Sequence, residues 1–164
     1  MTTRIRAEHD LSPIELSLLE ERLHKDNRRA TGCADDRTLA FVIRDGAGHA
    51  IGVAAGYSWA STSELTLMWI DEAYRGRGYA RQLLSAFVAE ATVRGVRRIW
   101  VSSHDFQAPG LYEKAGFRRI AELAEWPEGH SNIILCKTTA ADGALRQPSQ
   151  AAASAPDVSP ARHA

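Results

Sequence analysis

The apolar positions of this chain fall into blocks whose period changes along its length. Ile14, Leu18, Leu19 and Leu23 recur at helical spacing, and the segment before them carries start signals. Ser12 can cap, Pro13 fits the first helical position, Glu15 completes a capping box and Leu11 can staple onto Leu16. Thr31 to Arg37 reads as a polar loop. Leu39 to Arg44 and Ala50 to Trp59 read as two antiparallel strands joined by the turn Asp45-Gly46-Ala47-Gly48. Leu65 to Ile70 predicts a further strand. Ala80 to Val93 predicts a helix with Leu83, Leu84, Phe87, Val88 and Ala91 on one face, stopping at Gly95. Arg98 to Val101 predicts a strand, Pro109 to Ala115 a short helix ended by Gly116, and Phe117 to Leu123 with Ile133 to Cys136 a closing strand pair. A strand–helix–strand–helix centre implies a mixed sheet with helices on its faces.

From about Thr138 the pattern stops. Ala, Pro, Ser and Gln dominate, and large apolar residues almost vanish. Such a stretch cannot bury enough surface to offset its chain entropy. The expected organisation is one domain over residues 1–137 and a disordered tail over 138–164, dispensable for chemistry. No internal repeat is visible.

Composition narrows the function classes. At 164 residues the chain suits one domain with a real core. Its 20 basic and 20 acidic residues balance, so no global field favours nucleic acid or an anionic membrane. No apolar run approaches a membrane span, and the N-terminus lacks a signal-peptide core. Cys33 and Cys136 stand far apart, without CxxC or His/Cys clustering, which points to reduced thiols, a cytoplasmic location and no metal centre.

The chemistry concentrates in Tyr74-Arg75-Gly76-Arg77-Gly78-Tyr79-Ala80-Arg81, between the strand ending at Ile70 and the helix beginning near Ala80. Glycines let a backbone approach closely, main-chain N–H groups point at oxygens, and a helix N-terminus adds about half a positive charge, so this turn suits a bound phosphate chain. Two familiar phosphate loops do not fit. A dinucleotide fingerprint needs a small residue where Arg81 stands and an acid near Arg97 and Arg98, and a P-loop needs Gly-Lys-Ser/Thr.

The pattern that does fit is Arg75-x-x-Gly78-x-Ala80, followed about thirty residues later by Leu111-Tyr112-Glu113-Lys114-Ala115-Gly116-Phe117. In this order and spacing the two blocks resemble the GNAT superfamily of acetyl-CoA-dependent N-acetyltransferases, over about Leu39 to Lys137. The segments Leu67 to Glu72, Asp105 to Pro109 and Trp126 to His130 resemble one bacterial branch of it. The resemblance implies an α/β (α+β) fold: a mixed, largely antiparallel twisted sheet flanked by helices, with a central strand–helix–strand cofactor unit. It also implies acetyl-CoA as co-substrate, no metal, and a homodimer as the assembly to expect.

Carried onto this chain, the resemblance puts backbone N–H groups near Trp69 and Ile70 against the thioester carbonyl, as an oxyanion hole does. The pyrophosphate falls on the backbone of Arg75, Gly76, Arg77, Gly78, Tyr79 and Ala80, with the guanidinium groups of Arg75 and Arg81 in reach. Tyr112 matches the tyrosine that protonates the leaving thiolate; a phenol with pKa about 10 still holds its proton at neutral pH. The acceptor poses a separate problem, because an alkyl ammonium has roughly one free-base molecule in 2,500 at pH 7. Glu64, at the start of the strand before the turn, occupies about the place of a catalytic glutamate in several members. Asp71, Glu72, Trp126 and His130 are candidate substrate contacts. His104 is a further possible proton acceptor, and Tyr57 and Trp59 are further cation–π walls.

Two positions depart from the pattern. Asp105 stands where many members have Asn, and an acid there is expected to repel phosphate or cofactor carbonyls. Pro109-Gly110 replaces the usual residues before the tyrosine. With no cysteine in either motif, direct attack in a ternary complex is favoured over a covalent acyl-enzyme. The expected acceptor is a small primary amine. The alternatives are a protein lysine or N-terminus, and a non-catalytic acyl-CoA sensor.

Overall fold

The structure, a computed structural model, describes residues 5–139. The element order is α1 (Pro13–Thr31), β1 (Arg37–Arg44), β2 (Ala50–Trp59), β3 (Thr62–Ile70), α2 (Tyr79–Val93), β4 (Arg98–His104), α3 (Pro109–Lys114), β5 (Arg118–Ala124) and β6 (Ser131–Thr138). A single 3-10 turn at Glu72–Tyr74 links β3 to the glycine segment. Six strands form one sheet in the order β1-β2-β3-β4-β6-β5. All neighbours are antiparallel except β3 and β4, which α2 joins as a parallel pair. The sheet is mixed and largely antiparallel, with the strand–helix–strand unit at its centre.

One core holds the sheet to its helices. Leu83, Leu84, Phe87 and Ala91 of α2 meet Leu39, Ala54, Leu65, Ile99 and Val101 of the four strands they cross, and Tyr112, Phe117, Ile133 and Leu135 extend the cluster under α3. Strand side chains alternate between faces, so Tyr57, Glu64 and Trp100 point away from this core, onto the other face of the sheet.

Two outer regions differ from the sequence expectation. Ser12 accepts from the Glu15 N–H at 3.1 Å and Pro13 opens α1, yet no residue of that helix is buried. Ile14, Leu18, Leu19 and Leu23 are all exposed. Its C-terminal end alone is tied down, by Arg28 on Asp36 at 3.3 Å. At the other terminus the fold outlasts the expected boundary at 137. Thr138 pairs with Arg98, and buried Thr139 donates its N–H to Arg97 O at 3.0 Å and its hydroxyl to Val96 O at 2.6 Å. Thr138 thus closes β6 and Thr139 is anchored just beyond it; the remainder of the expected tail, 140–164, lies outside the described residues.

Candidate active site

The parallel ladder between β3 and β4 is short. It runs from Thr62 opposite Arg98 to Leu65 opposite Val101 and then ends, so the strands part beyond that rung. On its other side β3 carries a bulge. Gly56 faces Leu65 and Ala55 faces Leu67, which leaves Thr66 as the extra residue, its hydroxyl on Ala55 O at 3.1 Å. A bulge bends its strand and re-aims side chains. Gly56 is required there, because a Cβ would run into the Glu64 carbonyl. The result is a cleft of about 800 Å³, walled by Leu65 to Ile70 on one side and Val101 to His104 on the other.

The free edge of β3 has a defined polarity. Asp71 donates its N–H to Ile51 O at 2.9 Å, and pairing continues as Ile70 opposite Gly52 and Trp69 opposite Val53. Antiparallel pairs alternate between bonded and non-bonded residues. Trp69 therefore spends its N–H on β2, whereas Met68 and Ile70 aim their N–H and C=O groups into the cleft. The Ile70 carbonyl, accepting from Arg75 Nε at 3.2 Å, agrees with that assignment. Of the two amides expected near the thioester, Ile70's faces the cleft and Trp69's does not; Met68 supplies a second one. Residue identity carries no signal for this, since only the pairing phase decides it.

At one end of the cleft lies the glycine turn. Gly76 (φ 75) and Gly78 (φ 82) adopt the left-handed conformation, with nothing within 4 Å of where a Cβ would stand. Gly78 caps α2 without a side-chain hydrogen bond, which leaves the first-turn N–H groups of that helix open. Arg75, Gly76, Gly78, Tyr79, Ala80 and Arg81 line the cleft. Arg77 does not: its guanidinium donates to Ala73 O at 3.0 Å and lies 5.1 Å from the centre of the Tyr74 ring. Asp71 is also engaged, accepting from the Ala73 N–H at 2.9 Å to cap the 3-10 turn. Glu72 is exposed and lines neither this cleft nor the second cavity described below.

Across the cleft stands Tyr112, 5% exposed, its ring edge-on to Phe117 at 5.8 Å. Burial pushes its phenol above the ordinary value. His104 also lines the cleft, stacked on Phe106 at 5.0 Å, and its buried Nδ1 has no hydrogen-bond partner among the described residues. Asp105 turns elsewhere. Its carboxylate accepts from the Ser131 N–H at 3.1 Å and faces His130 Nδ1 at 3.0 Å. Desolvation is the largest single effect and pushes this carboxyl up, but the Ser131 N–H, the bond and charge of His130 and the Phe106 N–H together outweigh it and hold the group below the usual carboxylate range. Asp105 lines neither cavity; its carboxylate pins the start of β6. His130 and exposed Trp126 line neither cavity.

Glu64 is not on the cleft wall. It lies one rung before the strands part, opposite Tyr57 on β2 and Trp100 on β4. Together with Trp59, Thr31 and Cys33 these residues line a second cavity, of about 410 Å³. The Tyr57 hydroxyl donates to Glu64 Oε2 at 2.8 Å, and the Trp59 indole N–H donates to Cys33 O at 3.2 Å. The bond to Glu64, then partial burial, then the carboxylate charge push the Tyr57 phenol up to about 12. The neutral phenol is thus favoured by folding: the stabilisation is whole below pH 10 and fades as pH climbs from 10 to about 12. Absorbance titration at alkaline pH should show a phenolate step near 12 that Tyr57→Phe removes. A curve unchanged by that substitution would mean the bond does not persist in solution.

Sequence comparison agrees with this geometry. Residues 5–117 match the Acetyltransferase (GNAT) family. An acetyltransferase of Agrobacterium fabrum is 30% identical over 100 residues, which cover 61% of this chain and 73% of that protein. Blasticidin-S acetyltransferase of Streptomyces morookaense is 36% identical over 74 residues, or 43% of this chain; the match spans about half (53%) of that relative's length. Among solved structures, an acetyltransferase from Agrobacterium tumefaciens superposes with a TM-score of 0.74 at 25% identity, covering 85% of this chain and all (100%) of the other. A GNAT match over that span, together with a sheet that splits between its parallel strands, means that this chain belongs to the GNAT acetyltransferase family.

Proposed function

We propose that this acyltransferase moves an acetyl group from acetyl-CoA to the primary amine of a small molecule, by direct attack within a ternary complex. The observation that carries the reading is the cleft itself. An unpaired strand edge leads from an uncapped helix N-terminus to the rung where β3 and β4 part, with a buried phenol on the opposite wall.

The residues present fit acetyl-CoA. Open space stands beside Gly76 and Gly78 where a diphosphate would contact first-turn N–H groups, and the orphaned His104 Nδ1 offers an amide-bearing arm a polar contact. Arg75 and Arg81 flank that space. From Ile70 back to Thr66 the strand edge measures about 13 Å at 3.3 Å per residue, a track along which an extended arm can pair.

Acetyl-CoA supplies the acetyl group as a thioester, so that a C–N bond forms as a C–S bond breaks. The Met68 and Ile70 N–H groups are aimed to polarise the carbonyl. Tyr112 holds a proton through the neutral range and gives it to the departing sulfur. Glu64, through its Oε1, which has no hydrogen-bond partner among the described residues, takes a proton from the acceptor ammonium, directly or through water. The ammonium loses two protons in all: one replaces that given up by Tyr112, and the other leaves by way of Glu64.

A small acceptor is favoured over a protein by the size and aromatic walls of the cavity beside Glu64, about 410 Å³, and by the relative named for acetylating blasticidin S. The test is free-thiol release from acetyl-CoA across a panel of amines, paired with calorimetry of coenzyme A. Amine-dependent release supports the proposal. Coenzyme A uptake without release from any amine would indicate a sensor, and absence of uptake would remove the cofactor assignment.

A further inference from the structure

We infer that the cavity on the outer face of the sheet is the acceptor site, and that it selects one primary ammonium carried on a flat, apolar body. The inference rests on the acetyl-transfer reading and names its substrate class.

Position is the first argument. Glu64 opposite Trp100 is the next-to-last rung of the β3–β4 ladder, and Leu65 opposite Val101 is the last. The first pair lines the outer cavity and the second lines the cleft, so the two spaces lie on adjacent rungs beside the point where the strands separate. An amine held against Glu64 is therefore directed at the split through which the thioester end of the cleft is reached.

Chemistry is the second. Among the described residues Glu64 is the cavity's single charged wall residue, and Tyr57, Trp59 and Trp100 supply aromatic surface around it. Aromatic faces attract cations, and more strongly as water is excluded. Tyr57 occupies Oε2 of Glu64 and leaves Oε1 for the ligand. One carboxylate matches one ammonium. A polyamine would bring further charges with no partner on these walls, and an amino acid would set its own carboxylate against Glu64. At about 410 Å³ the cavity is near the small end of ligand sites, which run roughly 300–1,000 Å³, and has room for a single ring with a short amine arm.

The probe is phenethylamine, titrated calorimetrically into the full chain with and without coenzyme A. The comparison ligands are 2-phenylethanol (no charge), phenylalanine (an added carboxylate) and spermidine (added charges). Phenethylamine is expected to bind at least about tenfold more tightly than each, and to quench tryptophan fluorescence through Trp59 and Trp100, consistent with a partly desolvated cation–π and ion-pair site. Glu64→Gln and Trp100→Leu should each weaken it by about tenfold, with coenzyme A affinity held within about twofold as the check on folding. Equal affinity for phenethylamine and 2-phenylethanol would overturn the inference, as would an unchanged phenethylamine affinity in both variants. Acetyl transfer to other amines would survive that result. Tight phenethylamine binding without thiol release would uphold the site and count against the transfer reading instead.

Discussion

Tyr112→Phe is expected to lower kcat by about two to four orders of magnitude while leaving coenzyme A affinity unchanged, the range typical for loss of a positioned general acid. The substitution is clean because the ring, not the hydroxyl, does the packing. The ring is buried edge-on to Phe117, and the hydroxyl has no partner among the described residues that its loss would orphan. Thermal stability should hardly change. Burial raises the phenol above its ordinary value, so the group remains protonated across the neutral range and deprotonation there cannot mimic the mutant. Single-turnover kinetics together with calorimetry separate chemistry from binding. A variant with undiminished kcat would show that the thiolate takes its proton from elsewhere.

Gly78→Val should weaken coenzyme A binding by about a hundredfold or more. A β-branched residue at φ 82 costs about 1–2 kcal/mol in backbone strain alone. Its side chain would also project into the space beside the first-turn N–H groups, and each charge-assisted hydrogen bond lost there is worth about 1.5–3 kcal/mol. Gly48→Val is the control. Gly48 has φ 88 with equally open surroundings, but sits in the β1–β2 turn away from the cleft. Both variants should lose stability in urea, and only Gly78→Val should lose the ligand. Equal retention of coenzyme A by the two would mean that the diphosphate rests elsewhere.

Much of the frame was legible because its signals are local. Ser12 and Pro13 start α1, Gly95 follows the end of α2, and Asp45 to Gly48 turn β1 into β2, each by side-chain or backbone chemistry acting within a few residues. The two spaced motifs carried the family for the same reason, since a phosphate turn and a short helix bearing Tyr112 are both contiguous in the chain. The role given to Asp71 rests on residue type and neighbourhood, and those given to Arg77 and His130 on the family resemblance of their segments. In the fold Asp71 is engaged locally by a backbone amide and Arg77 by a backbone carbonyl, whereas His130 is held by the carboxylate of Asp105, distant in sequence.

The sequence by itself determined the element order, the glycine turn before α2 and the placing of Tyr112 after β4, because each depends on residues close together in the chain. Only the tertiary structure decided which amides of β3 face the cleft, that Asp105 turns to Ser131 and His130, and that Glu64 shares a cavity with Tyr57, Trp59 and Trp100 rather than the cleft wall. Those outcomes follow from strand register. A bulge at Thr66 and a parallel ladder that stops at Leu65 set which groups point where, and register depends on partners far away in sequence.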